Sequence, residues 1–346
     1  MAVRPLRLVD GLVLGIESSC DETSVALLDG MNVRANVVSS QADLHLKWGG
    51  VVPEAAARKH AEAFLPTLQT ALEQAGAELT DVDAIAVTHR PGLVGALSVG
   101  VSAAKSLSFS LGKPMIGVDH LEGHIVSPAL VADLEYPHVC LLVSGGHTEL
   151  IEVRAPGEYQ RLGGTIDDAA GEAFDKSARA LGLGYPGGPA IQNAAARGNS
   201  AKYKLPRGLS GDTFNFSFSG LKTAMLYLVR DEGAALNVAD ASASFEETIT
   251  SVLAERTERA CLSVGARMAT LVGGVAANAR LRQKLNDIAD RRGTRFVAPP
   301  LSLCTDNAVM IALAGSRRLA NGEHNSFDLD VLPNSDLLRE ELNVRP

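Results

Sequence analysis

Cysteine is scarce: the chain has four, Cys20, Cys140, Cys261 and Cys304, set far apart with no C-x-x-C pair. That spacing argues against a disulfide framework and against a thiolate zinc site, and reduced buried thiols are the simple reading. Long apolar runs are also missing, since no stretch approaches the ~18 uninterrupted apolar residues of a membrane span. The opening residues, "MAVRPLRLVD", carry two arginines but no apolar run of signal-peptide length, so a cytoplasmic protein without a membrane partner is expected. Positive charge is in deficit, with 32 Lys+Arg against 40 Asp+Glu and a net charge of −8. A nucleic-acid contact therefore needs a local patch or a partner protein.

What the chain does have is length and regular alternation. Its 346 residues, 46 % hydrophobic with 33 glycines, suffice for two lobes of roughly 100 to 200 residues each. Strand-like runs at 12–19, 24–29 and 32–39 precede a helix over 54–76, a strand at 83–89, a helix over 95–111 and a strand at 114–120. From residue 138 the order starts again. Runs within 138–164 form a second three-strand meander, followed by helices at 168–181, about 242–264 and 278–292 and strands at 268–274 and 294–299. Two β-β-β-α-β-α units are an internal repeat of an α/β fold. The second unit carries an insertion at about 184–240, with "GYPGGP" and "FNFSFSGLK" as its turn-rich landmarks.

In each unit the first strand runs into a small or hydroxyl-rich hairpin turn, "ESSCDETS" in one and "VSGGHT" in the other. With no side chain on Gly145 and Gly146, backbone N–H groups there can approach a phosphate closely. A Gly-Gly hairpin can equally be only a hairpin; recurrence at equivalent places, facing across a cleft, favours a nucleotide grip. A third turn, "LVGGVAANARL", leads from a strand into a helix near Asn278, which suits an adenosine or phosphate at the helix N-terminus or a plain Asn278 cap.

"VDHLEGHIVSP" places His120 and His124 at i and i+4, on one helix face, as two ligands of one metal would be. Glu122, at i+2, points away. In the zinc-protease pattern H-E-x-x-H the glutamate directly follows the first histidine, where this chain has Leu121, and Gly123 weakens the helix. Asp306, at the start of the alanine-rich helix of "CTDNAVMIALAG", would complete a His-His-Asp set, unless it serves only as the helix cap.

Nine blocks, "GIESSCDETSVAL", "GGVVPEAAARKH", "RPGLVGALSVG", "DHLEGH", "LVSGGHTEL", "IDDAAGEAFDKSARALGLGYPGGP", "FSFSGLKT", "GGVAANARLR" and "CTDNAVMIA", occur in order from about residue 12 to 315. Together they resemble the universal tRNA threonylcarbamoyladenosine transferases, whose bacterial members are called TsaD and were formerly described as O-sialoglycoprotein endopeptidases. That family has the two-lobed actin, hexokinase and Hsp70 (ASKHA) fold, which matches the internal repeat. Lobes are then expected at 1–125 plus 306–346 and at 126–305.

The resemblance implies transfer of a threonylcarbamoyl group from threonylcarbamoyl-adenylate to N6 of the adenosine 3′ of the anticodon, in tRNAs reading codons that begin with A. It implies one divalent metal ion, iron or zinc, on His120, His124 and Asp306. Leu142, Val143, Ser144, Gly145, Gly146, Asp175, Gly188 and Asn278 would line the substrate pocket, and Asp21 and Glu22 match acidic residues of the family's first loop, with a catalytic role. The implied partners are tRNA, an inactive TsaB-like paralogue and a small TsaE-like ATPase, and ATP or ADP in place of the adenylate is left open.

Two positions depart from the family: Arg90 stands where a glycine is usual, and Gln192 where many members have an acidic residue. Local positive charge for tRNA is found at 56–60 and in the series Arg280, Arg282, Lys284, Arg291, Arg292 and Arg295, which reads equally as solvated helix faces. The apolar face around 245–255 suits the core or a partner. An ASKHA-type ATPase or kinase would share the lobes but have no use for the histidine pair, and a metalloprotease would lack its adjacent glutamate.

Overall fold

Strands that read as unbroken apolar runs are buried on both faces, and they lie at the centre of their sheets. His138–Val143 is buried at every position and Leu12–Glu17 at all but its first. The structure is a computed structural model that describes residues 2–3, 6–46 and 50–338; the parts of the expected lobes at 1, 4–5, 47–49 and 339–346 lie outside the described residues.

The chain divides into two compact units, one with described residues 6–131 and 305–338, the other with 2–3 and 132–304. Each holds a five-stranded mixed sheet. In the first the strand order is Asn32–Ser40, Glu22–Asp29, Leu12–Glu17, Val82–Arg90 and Met115–Asp119. In the second it is Glu158–Gly164, Thr148–Ala155, His138–Val143, Met268–Val272 and Arg295–Val297. The first three strands of each are antiparallel neighbours and the last two join in parallel. The repeat read from the alternation is thus an identity of topology.

Each unit has its own core. Leu14, Ile16, Val25, Phe64, Leu68 and Ile85 are among the buried residues of the first. Phe174, Phe216, Phe245, Ile249 and Leu253 are among those of the second, so the apolar face around 245–255 packs inward. The insertion contributes the helices Gly187–Ala195 and Ser219–Glu232 to this second core, through Ile191, Leu221 and Met225. Val94–Leu111 is long and apolar enough to cross a membrane by length and composition, but its Ala96, Leu97, Val101 and Ala104 are buried and the helix lies on Val82–Arg90 and on the Pro53–Ala75 helix.

One close approach positions the site. The Ala308–Ala320 helix, buried from Ala308 through Arg317, crosses the Leu12–Glu17 strand where residue 15 is glycine. A Cβ on Gly15 would sit 2.2 Å from the carbonyl oxygen of Ala308. The same helix meets the His120–Val126 helix at Gly123, whose Cβ would lie 2.8 Å from Ile311 Cδ1 and 3.1 Å from Met310 Cγ. Gly123, unfavourable for the helix on propensity alone, is what allows the two helices to touch.

Candidate metal centre and glycine turns

The His120–Val126 helix starts where the Met115–Asp119 strand ends, and Asp119 caps it by accepting from the Leu121 N–H at 2.9 Å. The i, i+4 spacing then stacks the two imidazoles on one face, ring centroids 4.7 Å apart and nearly perpendicular. Both Nε2 atoms converge on one oxygen: Asp306 Oδ1 lies 3.1 Å from His124 and 3.5 Å from His120. One candidate ligand atom from each of the three lies within 4.8 Å of the others. Asp306 is not the helix cap. That role falls to Asn307, whose side chain accepts from the Met310 N–H at 3.2 Å and leaves Asp306 turned to the histidines.

Two imidazole nitrogens and one carboxylate oxygen, largely buried and converging, are a donor set that fits a zinc or ferrous ion. Electrostatics agree. Burial alone would lower the His120 pKa, but the carboxylates of Asp306 and Glu17 at opposite ring nitrogens outweigh it and raise it well above the ordinary value. Burial would raise Asp306, yet His120 and His124 hold it well below the usual carboxylate range. The pocket is built for positive charge on its histidine side.

Glu122 takes no part in it. Its carboxylate is buried against Arg317, 2.5 Å from Nη2, with Arg318 at 3.9 Å. It ties the His120–Val126 helix to the Ala308–Ala320 helix, a structural pairing in place of the general-base role that the protease reading needs.

Asp21 lies in the turn after Leu12–Glu17, and Glu22 opens the next strand. Burial, with the charges of Asp306 and Asp21, pushes Glu22 up to about 10. His60, from "AARKH", braces this turn with Nδ1 2.7 Å from Thr23 Oγ1 and Nε2 3.0 Å from the Cys20 carbonyl. The sequence reading missed Glu17: fully buried, it lies 3.0 Å from His120 Nδ1. Its signal was a carboxylate ending an otherwise apolar strand, "LVLGIE".

The other expected residues belong to the second unit. Leu142 and Val143 are fully buried, backbone included, and lie behind the turn, while Gly145 and Gly146 are exposed at it. The Ser144 N–H is already used, donating to the His147 carbonyl at 2.8 Å to close the hairpin. The Ala170–Ala180 helix starts against this turn at Gly171, where a Cβ would lie 2.5 Å from the Ser144 carbonyl oxygen. Asp175 accepts from the Gly187 N–H at 2.7 Å and so fixes the start of the helix that carries Gly188. Asn278 caps the Ala279–Arg292 helix through the Leu281 N–H at 2.9 Å and donates to Glu246 at 2.7 Å. Gln192 accepts from the Ala279 N–H at 2.8 Å, a further orphan donor of that helix.

The basic positions are mostly neutralised. Arg280 and Lys284 pair with Glu247, Arg291 and Arg292 with Glu258, and Arg295 with Glu135. Arg282 donates to the carbonyls of Ala276 and Pro299. Arg90 faces Asp119 at 3.3 Å and also pairs with Asp336. Its place in the structure is an ion-pair network, not a free basic contact.

The duplicated sheets define an actin, hexokinase and Hsp70-type α/β fold, which solved structures share at low identity. Full-length HypF in its phosphate- and nucleotide-bound form aligns over 94 % of this chain and 49 % of its own, with TM-score 0.60 at 14 % identity. The activator of the 2-hydroxyisocaproyl-CoA dehydratase from Clostridium difficile with bound ADPNP aligns over 91 % of this chain and 99 % of its own, with TM-score 0.52 at 13 % identity. Residues 32–313 match the family described as TsaD: tRNA N6-adenosine threonylcarbamoyltransferase. The tRNA N6-adenosine threonylcarbamoyltransferase of Symbiobacterium thermophilum is 52 % identical, covering 94 % of this chain and 97 % of that one. That of Methylobacillus flagellatus is 51 % identical over 96 % and 99 %. The chain belongs to the tRNA N6-adenosine threonylcarbamoyltransferase family.

Proposed function

We propose that this chain transfers the threonylcarbamoyl group of threonylcarbamoyl-adenylate to N6 of the adenosine immediately 3′ of the anticodon, in tRNAs that read codons beginning with A. The observation that carries the reading is the convergence of His120 and His124 on Asp306 in a member of this family. In the reaction the bond from N6 to the carbamoyl carbon forms, the bond from that carbon to the phosphate oxygen breaks, AMP leaves and one N6 proton is lost. The adenine amine is a weak nucleophile because its lone pair is delocalised into the ring, so the carbonyl must be activated and held close.

His120, His124 and Asp306 would hold an iron or zinc ion, which would supply Lewis acidity toward the adenylate. The chain's own groups do the rest. Because Ser144 N–H closes its hairpin, the exposed N–H groups of Gly145 and Gly146 are those that receive charge on the departing phosphate. Leu142 and Val143 shape that turn from behind. Asp175 and Gly188 border the ligand, and Asn278 orders the helix N-terminus that takes the adenosine end. The N6 proton goes to Asp21, to Glu22 or to the substrate's own phosphate.

We assign the two lobes to the two units, with boundaries near residues 131 and 305 in place of the expected 125 and 306, together with a cytoplasmic location and a working complex with a TsaB-like paralogue and a TsaE-like ATPase that complete the tRNA surface. The neutralised Arg280–Arg295 series supports the need for such partners. An ATPase or kinase reading leaves the histidine pair without a use. The test is a transfer assay with unmodified tRNA, the adenylate and those partners, followed by nucleoside digestion and mass detection of threonylcarbamoyladenosine. No product from folded protein with intact adenylate contradicts the reading.

A further inference from the structure

We infer that Glu17 is the positioning residue of the metal centre, fixing the proton of His120 on Nδ1 and so leaving Nε2 as the ligand; the inference rests on the metal assignment proposed above. Glu17 is fully buried at the end of an apolar strand, a position that is costly for a carboxylate unless its oxygens are satisfied. They are. Oε1 accepts from the Ser19 N–H at 2.6 Å, and Oε2 accepts from the Thr88 hydroxyl at 2.5 Å and faces His120 Nδ1 at 3.0 Å.

A carboxylate only accepts. A bare Nδ1 lone pair at 3.0 Å from Oε2 would be repelled, so Nδ1 keeps its proton toward Glu17, and Nε2, on the Asp306 side at 3.5 Å, is the nitrogen that would face a metal held with Asp306. The other neighbour of Nδ1, the Ser19 hydroxyl at 3.3 Å, can donate or accept and selects neither tautomer. Thr88 matters through Glu17: its hydroxyl holds Oε2 in register with the ring. The arrangement is one-sided, since His124 Nδ1 is buried with no hydrogen-bond partner among the described residues. Orientation of the centre by an outer carboxylate therefore works through His120, and such outer partners change metal affinity by about 10 to 100-fold.

The experiment uses the full chain and Zn²⁺ alone, titrated against a chromophoric chelator, with wild type, Glu17→Gln and Thr88→Val. In E17Q one amide group must face a donor: with its oxygen toward His120 the NH2 meets the Ser19 N–H, and the reverse orientation places the NH2 against Nδ1. The Zn²⁺ Kd is expected to rise about 10 to 100-fold in E17Q and by less, in the same direction, in T88V. Nitrogen-15 correlation spectra of the zinc-loaded wild type should show a slowly exchanging His120 Nδ1–H that is lost in E17Q, a signature that general loosening of the fold does not produce. If E17Q does not fold, T88V and the wild-type spectrum decide. Wild-type affinity in the folded variants, or His120 protonated on Nε2 in the zinc-loaded protein, overturns this inference alone. A wild type that binds no zinc overturns it together with the metal assignment.

Discussion

His124 Nε2 lies 3.1 Å from Asp306 Oδ1, although 182 residues separate the two. The contact exists because the Ala308–Ala320 helix returns to the first sheet and Asn307, one residue later, takes over the capping that would otherwise hold Asp306. Asp306→Asn keeps the shape of the side chain and removes its charge. It is expected to weaken metal binding and to slow transfer by about 100-fold or more, as loss of several kcal/mol of Lewis-acid stabilisation requires. Metal content by mass spectrometry and the rate of nucleoside formation check the two parts.

Glu122 is predicted to matter for stability and not as a base. Glu122→Gln leaves Arg317 buried without its carboxylate and should cost about 3 kcal/mol in denaturant unfolding. The pH profile of transfer, corrected for the folded fraction, should keep its shape.

The two close-approach glycines should rank by what their Cβ would meet. At Gly15 the obstacle is a backbone carbonyl oxygen at 2.2 Å, which cannot rotate aside. At Gly123 it is the end of the Ile311 side chain, which can. Gly15→Ala is expected to destabilise by at least about 3 kcal/mol and Gly123→Ala by about 1 kcal/mol. Urea unfolding midpoints of the two variants test the order.

Acid stability should reflect His138. Its ring is fully buried, with Nδ1 2.9 Å from the Glu135 carbonyl, and burial pushes its pKa down to about 4. An unfolded histidine titrates near ~6.5, so below that pH the unfolded chain takes up a proton that the folded one refuses. The stability held above about 6.5 is therefore lost as pH falls toward about 4, by roughly 3 kcal/mol in all. His138→Asn, which keeps a donor toward Glu135, should flatten that slope in unfolding curves taken across the window.

What was legible in advance follows from range. The sheet centres showed because strands buried on both faces read as nearly continuous apolar runs, and the histidine pair showed because i, i+4 spacing is local. Asn278 and Asn307 both follow small turns and cap the helices after them, yet the second displaces Asp306 as cap, a choice made by the tertiary pull of His120 and His124. Glu17 and the Glu122–Arg317 pair were not legible, since their partners lie 103 and 195 residues away. The same holds for the Arg280–Arg295 series, whose charges meet Glu247, Glu258 and Glu135 only after folding.

The most direct measurement of the account is to follow AMP release and threonylcarbamoyladenosine formation together, with tRNA, threonylcarbamoyl-adenylate and the partner proteins, for wild type and for the double variant His120→Ala, His124→Ala. The account predicts one nucleoside formed per AMP released in wild type and neither above background in a double variant that still folds. Equal turnover by that variant, or AMP release without modified nucleoside, would contradict it.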